Sequence, residues 1–270
     1  MSGFAPRNLL DVGAGTGAAA WAAAAVWPTL SAATLLDREP AMVALGRRLA
    51  ATAGEALPAE VTWQVGSPST PLPPRDLVVA AYLLGELPDA DRAATIARLW
   101  AATTTALVLV EPGSRAGFER ILAARSSLIE AGAAIAAPCP GTVPCPVRSG
   151  PAWCHFLARL DRSPLHRRAK GAALSWEDEP YAYVVAVRPE AGPAVRLAPS
   201  PRVVLGRPRR RPGVVALRVC RDGRVDRIVR SRRDRAAYRA AGDLAWGDRV
   251  PPEVADDKAA AGDAGDGQDS

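Results

Sequence analysis

Over its first half the chain alternates short unbroken apolar runs with segments of helical period. Asn8–Val12 is an apolar run closed by glycine and predicts a buried strand, and Gly17–Val26 predicts the helix after it. Ala33–Leu36, Val61–Val65, Asp76–Leu83 and Ala106–Val110 predict four further strands. Pro40–Ala53, Asp89–Ala102 and Gly117–Ala131 carry the apolar spacing of amphipathic helices. Strict alternation of strand and helix places the fold in the α/β class, a Rossmann-like doubly wound sheet with mostly parallel strands. Leu77-Val78-Val79-Ala80 and Leu107-Val108-Leu109-Val110 lack polar alternation, as expected of parallel strands covered on both faces.

The pattern breaks after this. Residues 137–154 are rich in proline and predict an irregular loop holding three cysteines. Residues 155–170 return to a basic, helical pattern. Tyr181–Val187 predicts a sixth strand with Tyr181 and Tyr183 on one face. Residues 189–213, rich in Pro and Arg, predict a link to a small β module. There Val214–Cys220 and Arg224–Arg230 form two strands joined across Asp222-Gly223. The domain expectation is therefore 1–190, then an Arg-rich module over 191–250, then a disordered acidic tail over 251–270.

Charge sharpens that division. The chain of 270 residues carries a net charge of +6, unevenly spread. Residues 202–239 hold fourteen Arg against three Asp, while residues 251–270 hold six acids and one Lys. A basic module followed by an acidic tail suggests an anionic partner, nucleic acid first. The plainer alternative is a GC-rich genome, since Lys170 and Lys258 are the only lysines. No window reaches the ~20 apolar residues of a membrane span, and the N-terminus lacks a signal pattern, so a cytoplasmic location without membrane contact is expected. In that compartment four cysteines suit metal ligation better than disulfides.

The candidate cofactor loop is Asp11-Val12-Gly13-Ala14-Gly15-Thr16-Gly17. Gly13, Gly15 and Gly17 follow a strand and open a helix, where glycine permits a sharp turn and close approach of backbone to ligand. Asp37 lies twenty residues after Gly17, at the end of the second strand, where a carboxylate accepts hydrogen bonds from ribose hydroxyls. Glycines at alternate positions after an acid suit S-adenosylmethionine better than a nicotinamide or flavin. The stretch after the third strand, Gly66-Ser67-Pro68, offers no carboxylate for an adenine amine. After the fourth strand, Tyr82 and Glu86 are candidate pocket residues, with packing or capping as the plain alternative. No catalytic base is evident.

Cys139, Cys145 and Cys154 lie within sixteen residues, and Cys220 is remote. Flanking prolines stiffen the loop and lower the entropy lost when thiolates converge. Four thiolates suit zinc or an iron–sulfur cluster, and the spacing alone does not separate the two. Four unrelated buried thiols are the bland alternative. His155 is a candidate hydrogen-bond donor to a ligand sulfur or an alternative ligand. His166 belongs with a basic surface.

Three stretches together resemble the bacterial branch of the methyltransferase-like proteins of the small ribosomal subunit. They are Leu10–Gly17 with Tyr82–Leu87, then Pro138–Pro146 with Trp153-Cys154-His155-Phe156 and Leu165-His166-Arg167, then Glu177–Val187 with Cys220 and Trp246-Gly247-Asp248. The cysteine block is the specific part. The resemblance implies a 4Fe-4S cluster on Cys139, Cys145, Cys154 and Cys220, with S-adenosylmethionine in the Rossmann pocket. It implies action on or near small-subunit ribosomal RNA, as an assembly factor or as an RNA methyltransferase, by a protein that is monomeric off the ribosome. Family members ordinarily carry a helical segment before the first strand, whereas here that strand begins at Asn8. The reading outside the resemblance is a small-molecule methyltransferase with a structural zinc.

Overall fold

The apolar runs form the centre of a sheet. In the computed structural model, which describes residues 3–52, 54–148, 153–190 and 201–255, β1 (Asn8–Val12) lies between β2 (Ala32–Asp37) and β4 (Arg75–Ala81). β3 (Glu60–Val65) flanks β2, and β5 (Thr103–Pro112) flanks β4, all in parallel. Leu9, Leu10, Leu77, Leu107 and Leu109 are fully enclosed. Three helices connect these strands, α1 (Ala18–Val26), α2 (Pro40–Ala50) and α3 (Asp89–Ala101), and α4 (Arg115–Glu130) follows β5. α4 starts two residues earlier than its apolar period indicates, because the Ser114 hydroxyl accepts the Gly117 N–H at 3.1 Å and caps it. Leu9, Leu35, Leu77, Val79 and Ala106 pack with Ala20 and Ala23 of α1, Val43 of α2 and Trp63 of β3 in one apolar cluster.

Beyond β5 the structure departs from the sequence expectation. β6 (Ala134–Ala137) is a strand that the sequence, all alanine and isoleucine ahead of a proline, does not announce. Residues 155–170 are not one helical segment: β7 (Phe156–Asp161) is a strand, and only α5 (Pro164–Lys170) is helical, capped by Ser163. β7 pairs antiparallel along its whole length with β8 (Trp176–Val187), which begins five residues before the predicted sixth strand. Arg159 and its cross-strand partner Asp178 form a two-pronged ion pair at 2.7 and 2.9 Å. Non-local pairing of this kind outweighs local helical preference. β8 runs antiparallel between β5 and β6, giving the order β3-β2-β1-β4-β5-β8-β6 with β7 off the path.

The chain divides into two compact units, Met1–Ser200 and Pro201–Ser270. In the second, β11 (Val214–Arg221) and β12 (Arg224–Ser231) form the expected hairpin. Asp222 (φ 48°) and Gly223 (φ 74°) both adopt left-handed backbone at its tip, as a tight two-residue turn requires. The stretch read as a linker adds two more strands on the other edge of β11, β9 (Val203–Val204) and β10 (Arg209–Arg211). The Trp246-Gly247-Asp248 turn exchanges backbone hydrogen bonds with Val204. α6 (Arg235–Asp243) and α7 (Pro252–Ala255) supply Ala241 and Val254 to a core with Val215, Leu217, Val219 and Ile228. Part of the expected acidic tail is thus helical, and the rest of it, from residue 256, lies outside the described residues. Among the described residues no helix is long and apolar enough to cross a membrane.

Candidate functional site

The loop between β1 and α1 is latched to the end of β2. Gly13 and Ala14 donate their N–H groups to the Leu36 carbonyl at 2.8 and 3.0 Å. The Asp37 carboxylate accepts the Gly15 N–H at 2.7 Å and the Glu39 N–H at 2.9 Å. Gly13, Gly15 and Gly17 all have positive φ (75°, 55° and 88°), which explains glycine at each position. Their surroundings differ. A Cβ on Gly15 would meet nothing within 4 Å, so this position opens onto free space, whereas one on Gly17 would lie 2.8 Å from the Trp63 ring and 3.0 Å from Leu35. Gly15→Ala is therefore expected to lose about 1–2 kcal/mol of stability from backbone strain alone. Gly17→Ala is expected to lose a further ~1–3 kcal/mol from overpacking. Thermal melts without ligand check this, and equal losses would show that Trp63 does not set the constraint.

Asp11 is buried at the end of β1, with 1% of its surface exposed. Ala20, in the first turn of α1, donates its N–H to the carboxyl, and Oδ2 has no hydrogen-bond partner among the described residues. Burial raises its pKa to about 7; the Ala20 hydrogen bond opposes the shift and the charge of Asp37 adds to it.

Tyr82 stands at the end of β4, with its N–H on the Val110 carbonyl at 2.8 Å. It has φ 57°, a rare conformation for a bulky residue that clusters at functional sites. Partial burial and the nearby Glu179, Glu111 and Tyr181 raise its pKa. A Cβ on Gly13 would touch the neighbouring Leu83 at 3.0 Å, so the glycine loop and the segment after β4 are adjacent. That segment is held from beneath by Glu111, which has no exposed surface. Glu111 accepts the Leu84 N–H at 2.9 Å and pairs with Arg120 of α4 at 2.6 Å. Arg92 of α3 donates to the Leu84 and Leu87 carbonyls. Glu86, in the short 3-10 turn Leu84–Glu86, lies on the exposed side.

β7 and β8 bring Phe156, Tyr181 and Tyr183 into one aromatic group, with ring centroids 5.0 to 5.8 Å apart. Since Tyr181 pairs with Pro112, this group stands at the edge of the sheet where β5 ends. Trp153 joins the same edge by donating to the Gly113 carbonyl at 2.9 Å.

Cys139 and Cys145 lie on the irregular loop after β6, and Cys154 precedes β7. Burial pushes the Cys154 thiol up to about 12, with Cys139 and Cys145 adding to the shift. Burial also raises Cys145, with Cys139 adding to the shift and Arg125 opposing it. Arg125 of α4 donates to the Gly141 and Val143 carbonyls at 2.8 and 3.1 Å, clamping the chain between the first two cysteines. Sequence reasoning offers no sign of this role. His155 is buried against Trp153, and burial lowers its pKa. Cys220 belongs to the second unit, buried in β11 opposite Val225 and Val203. Among the described residues no three His, Cys, Asp or Glu side chains are grouped closely enough to hold a metal ion.

A sheet in which β8 alone runs against the others, with a glycine loop latched to an acid at the ends of β1 and β2, defines a Rossmann-like methyltransferase fold. The chain belongs to the family described as mitochondrial small ribosomal subunit Rsm22, whose sequence model matches residues 1–251. The human ribosome assembly protein METTL17, mitochondrial, is 32% identical over 264 residues, covering 92% of this chain and 56% of that protein. The chain thus spans little more than half the length of that relative. Among solved structures, magnesium protoporphyrin IX methyltransferase from Synechocystis is similar over 67% of this chain and 69% of its own, with 16% identity and a TM-score of 0.43. Precorrin-6y C5,15-methyltransferase from Geobacter metallireducens is similar over 68% and 80%, with 15% identity and a TM-score of 0.44.

Proposed function

We propose that this chain is a small-subunit assembly protein that binds S-adenosylmethionine and carries an iron–sulfur cluster, contacting ribosomal RNA through its Arg-rich module. Family membership carries the ribosomal part. The cofactor part is carried by the Asp11 Oδ2, buried without a partner among the described residues, in a strand that leads into three left-handed glycines. A cationic ligand satisfies such a carboxylate, and S-adenosylmethionine carries both an ammonium and a sulfonium. In this reading Asp37 accepts from the ribose hydroxyls, Gly15 admits the ligand where a side chain would block it, and Tyr82 borders the methyl-bearing end. The cofactor, when bound, supplies an electrophilic methyl group. Calorimetric titration with S-adenosylmethionine tests the site: saturable binding that is lost in Asp37→Ala is expected, and absence of heat in the wild type overturns it.

The cysteines fit a metal by their chemistry. Burial raises the Cys145 and Cys154 thiols, with Cys139 adding to the shift at both and Cys145 adding to it at Cys154, and thiols so placed favour a cation that takes their protons. Cys139, Cys145, Cys154 and Cys220 would hold the cluster, which supplies a cross-link fixing the loop that Arg125 already clamps. Anaerobic purification is expected to give a brown protein with about four irons per chain. Cys→Ser at any of the four positions is expected to lose the metal. Colourless protein with one zinc would establish the structural-zinc alternative, and full iron in Cys220→Ser would show that the second unit supplies no ligand.

Methyl transfer to ribosomal RNA is the further step of this reading, supported by the strained Tyr82 beside Glu179 and Tyr181. Labelled S-adenosylmethionine with immature small subunits decides it: no transferred label, with RNA binding retained, leaves the assembly role alone.

A further inference from the structure

The arginines of the second unit are sorted by the sheet they occupy. Successive residues of a strand point to opposite faces. Val215, Leu217 and Val219 face the helices. Two arginines of that parity are used internally: Arg210 reaches the Gly242 carbonyl and Asp243, and Arg230 the Val254 carbonyl, while Arg221 pairs with Asp222 at the hairpin tip. The other parity has a different fate. Arg209 and Arg211 of β10 stand opposite Ala216 and Val214, and Arg218 of β11 stands directly opposite Arg227 of β12. With Arg207 these four border a pocket of about 450 Å³. All five are exposed, and none forms an ion pair among the described residues.

Like charges directly opposed across a sheet are destabilising. An anion in the pocket offsets that repulsion, and several guanidiniums converging on one concavity suit phosphate. Val214 and Ala216 are half-buried between the arginines and give the pocket an apolar floor. The volume falls in the range of small-ligand sites, roughly 300–1,000 Å³, far too small for a double helix. An unpaired nucleotide offers the matching chemistry: phosphates for the rim, and a flat base for the floor and for guanidinium stacking.

We infer that this face of the β10–β11–β12 sheet binds single-stranded RNA, taking an unpaired nucleotide between Arg209, Arg211, Arg218 and Arg227. The inference rests on the RNA-contacting role proposed above and narrows it to one face and one form of RNA. The full-length protein, titrated with a fluorescent single-stranded RNA, a hairpin of equal charge and an abasic single strand, tests it by anisotropy across a salt series. The wild type is expected to prefer the base-bearing single strand. Arg218→Ala/Arg227→Ala is expected to weaken that binding about tenfold and to lower its salt slope by about 1.4, the share of two phosphates on a single strand. Arg233→Ala/Arg235→Ala removes the same charge from exposed positions outside the pocket and is expected to change affinity less than about twofold. Equal losses in the two variants, equal binding of hairpin or abasic strand, or equal displacement by polyglutamate would overturn the pocket while leaving RNA contact intact. A wild type that binds none of the RNAs would overturn the RNA-contacting role itself. Circular dichroism melts of both variants confirm that a loss is not unfolding.

Discussion

Arg120→Ala is expected to destabilise the first unit by ~3–5 kcal/mol, the range for breaking a buried ion pair from one side. Glu111 has no exposed surface, so its carboxylate depends on two donors: Arg120 at 2.6 Å and the Leu84 N–H at 2.9 Å. Removing the guanidinium leaves an enclosed charge with one backbone hydrogen bond. Glu111→Gln keeps the shape and the Leu84 contact, and Arg120 retains a route to solvent with 17% of its side chain exposed, so a smaller loss is expected. Replacing both residues by leucine is expected to recover much of the stability, because the attraction in such pairs barely exceeds their desolvation. Urea unfolding measures all three, and an Arg120→Ala variant within 1 kcal/mol of wild type would show that the pair holds nothing. The consequence for function is local. Leu84–Glu86 follows Leu83, which lies beside Gly13 of the glycine loop, so Arg120→Ala is also expected to weaken S-adenosylmethionine binding.

The parallel half of the sheet is legible in the sequence because burial on both faces forces continuous apolar runs, which few other structures produce. The glycine loop is legible because left-handed backbone at three positions leaves glycine as the residue without strain. The antiparallel half is not. β7 reads as part of a basic helix, since Leu157 and Leu160 are exposed and mark no face. What makes it a strand is Asp178 and its neighbours nearly twenty residues away. Glu111 carried a signal that could have been used: a carboxylate closing a buried apolar strand requires a partner. Arg125 carried none, because a helix arginine that reaches two loop carbonyls looks like any solvent-facing arginine. The Arg-Arg-Arg of β10 reads as bulk charge until strand pairing splits it, with Arg210 turned to the helices and Arg209 and Arg211 to the pocket.

Asp11→Asn is expected to remove from the ligand-free protein a pH dependence of ~4 kcal/mol, the energy equivalent of the shift between the ordinary carboxyl value of about 3.9 and the folded-state value. Burial is the main cause of that elevated value of about 7. Between these limits the folded protein holds a proton that the unfolded chain releases. The contribution of Asp11 is therefore fully present below about pH 4 and is lost as pH rises to about 7, above which the ionised carboxylate remains as a fixed penalty. Glu177 and Asp178, lowered by hydrogen bonds to Arg162, Lys170 and Arg159, act in the opposite sense in both proteins, so the difference between the two unfolding curves isolates Asp11. Asparagine keeps an acceptor for the Ala20 N–H and carries no charge, so the variant should be the more stable protein at pH 8. Ligand binding should show the reverse. In wild type the affinity for cationic S-adenosylmethionine rises as Asp11 ionises toward pH 8, because the buried charge then finds its counter-ion. In Asp11→Asn it is weaker and does not respond to pH. A variant that matches wild type in both stability and affinity from pH 5 to 8 would mean that Asp11 neither titrates in this range nor faces the ligand. A variant that gains stability and loses the pH-dependent affinity would identify Asp11 as a charge held at a cost to folding and compensated by the cofactor.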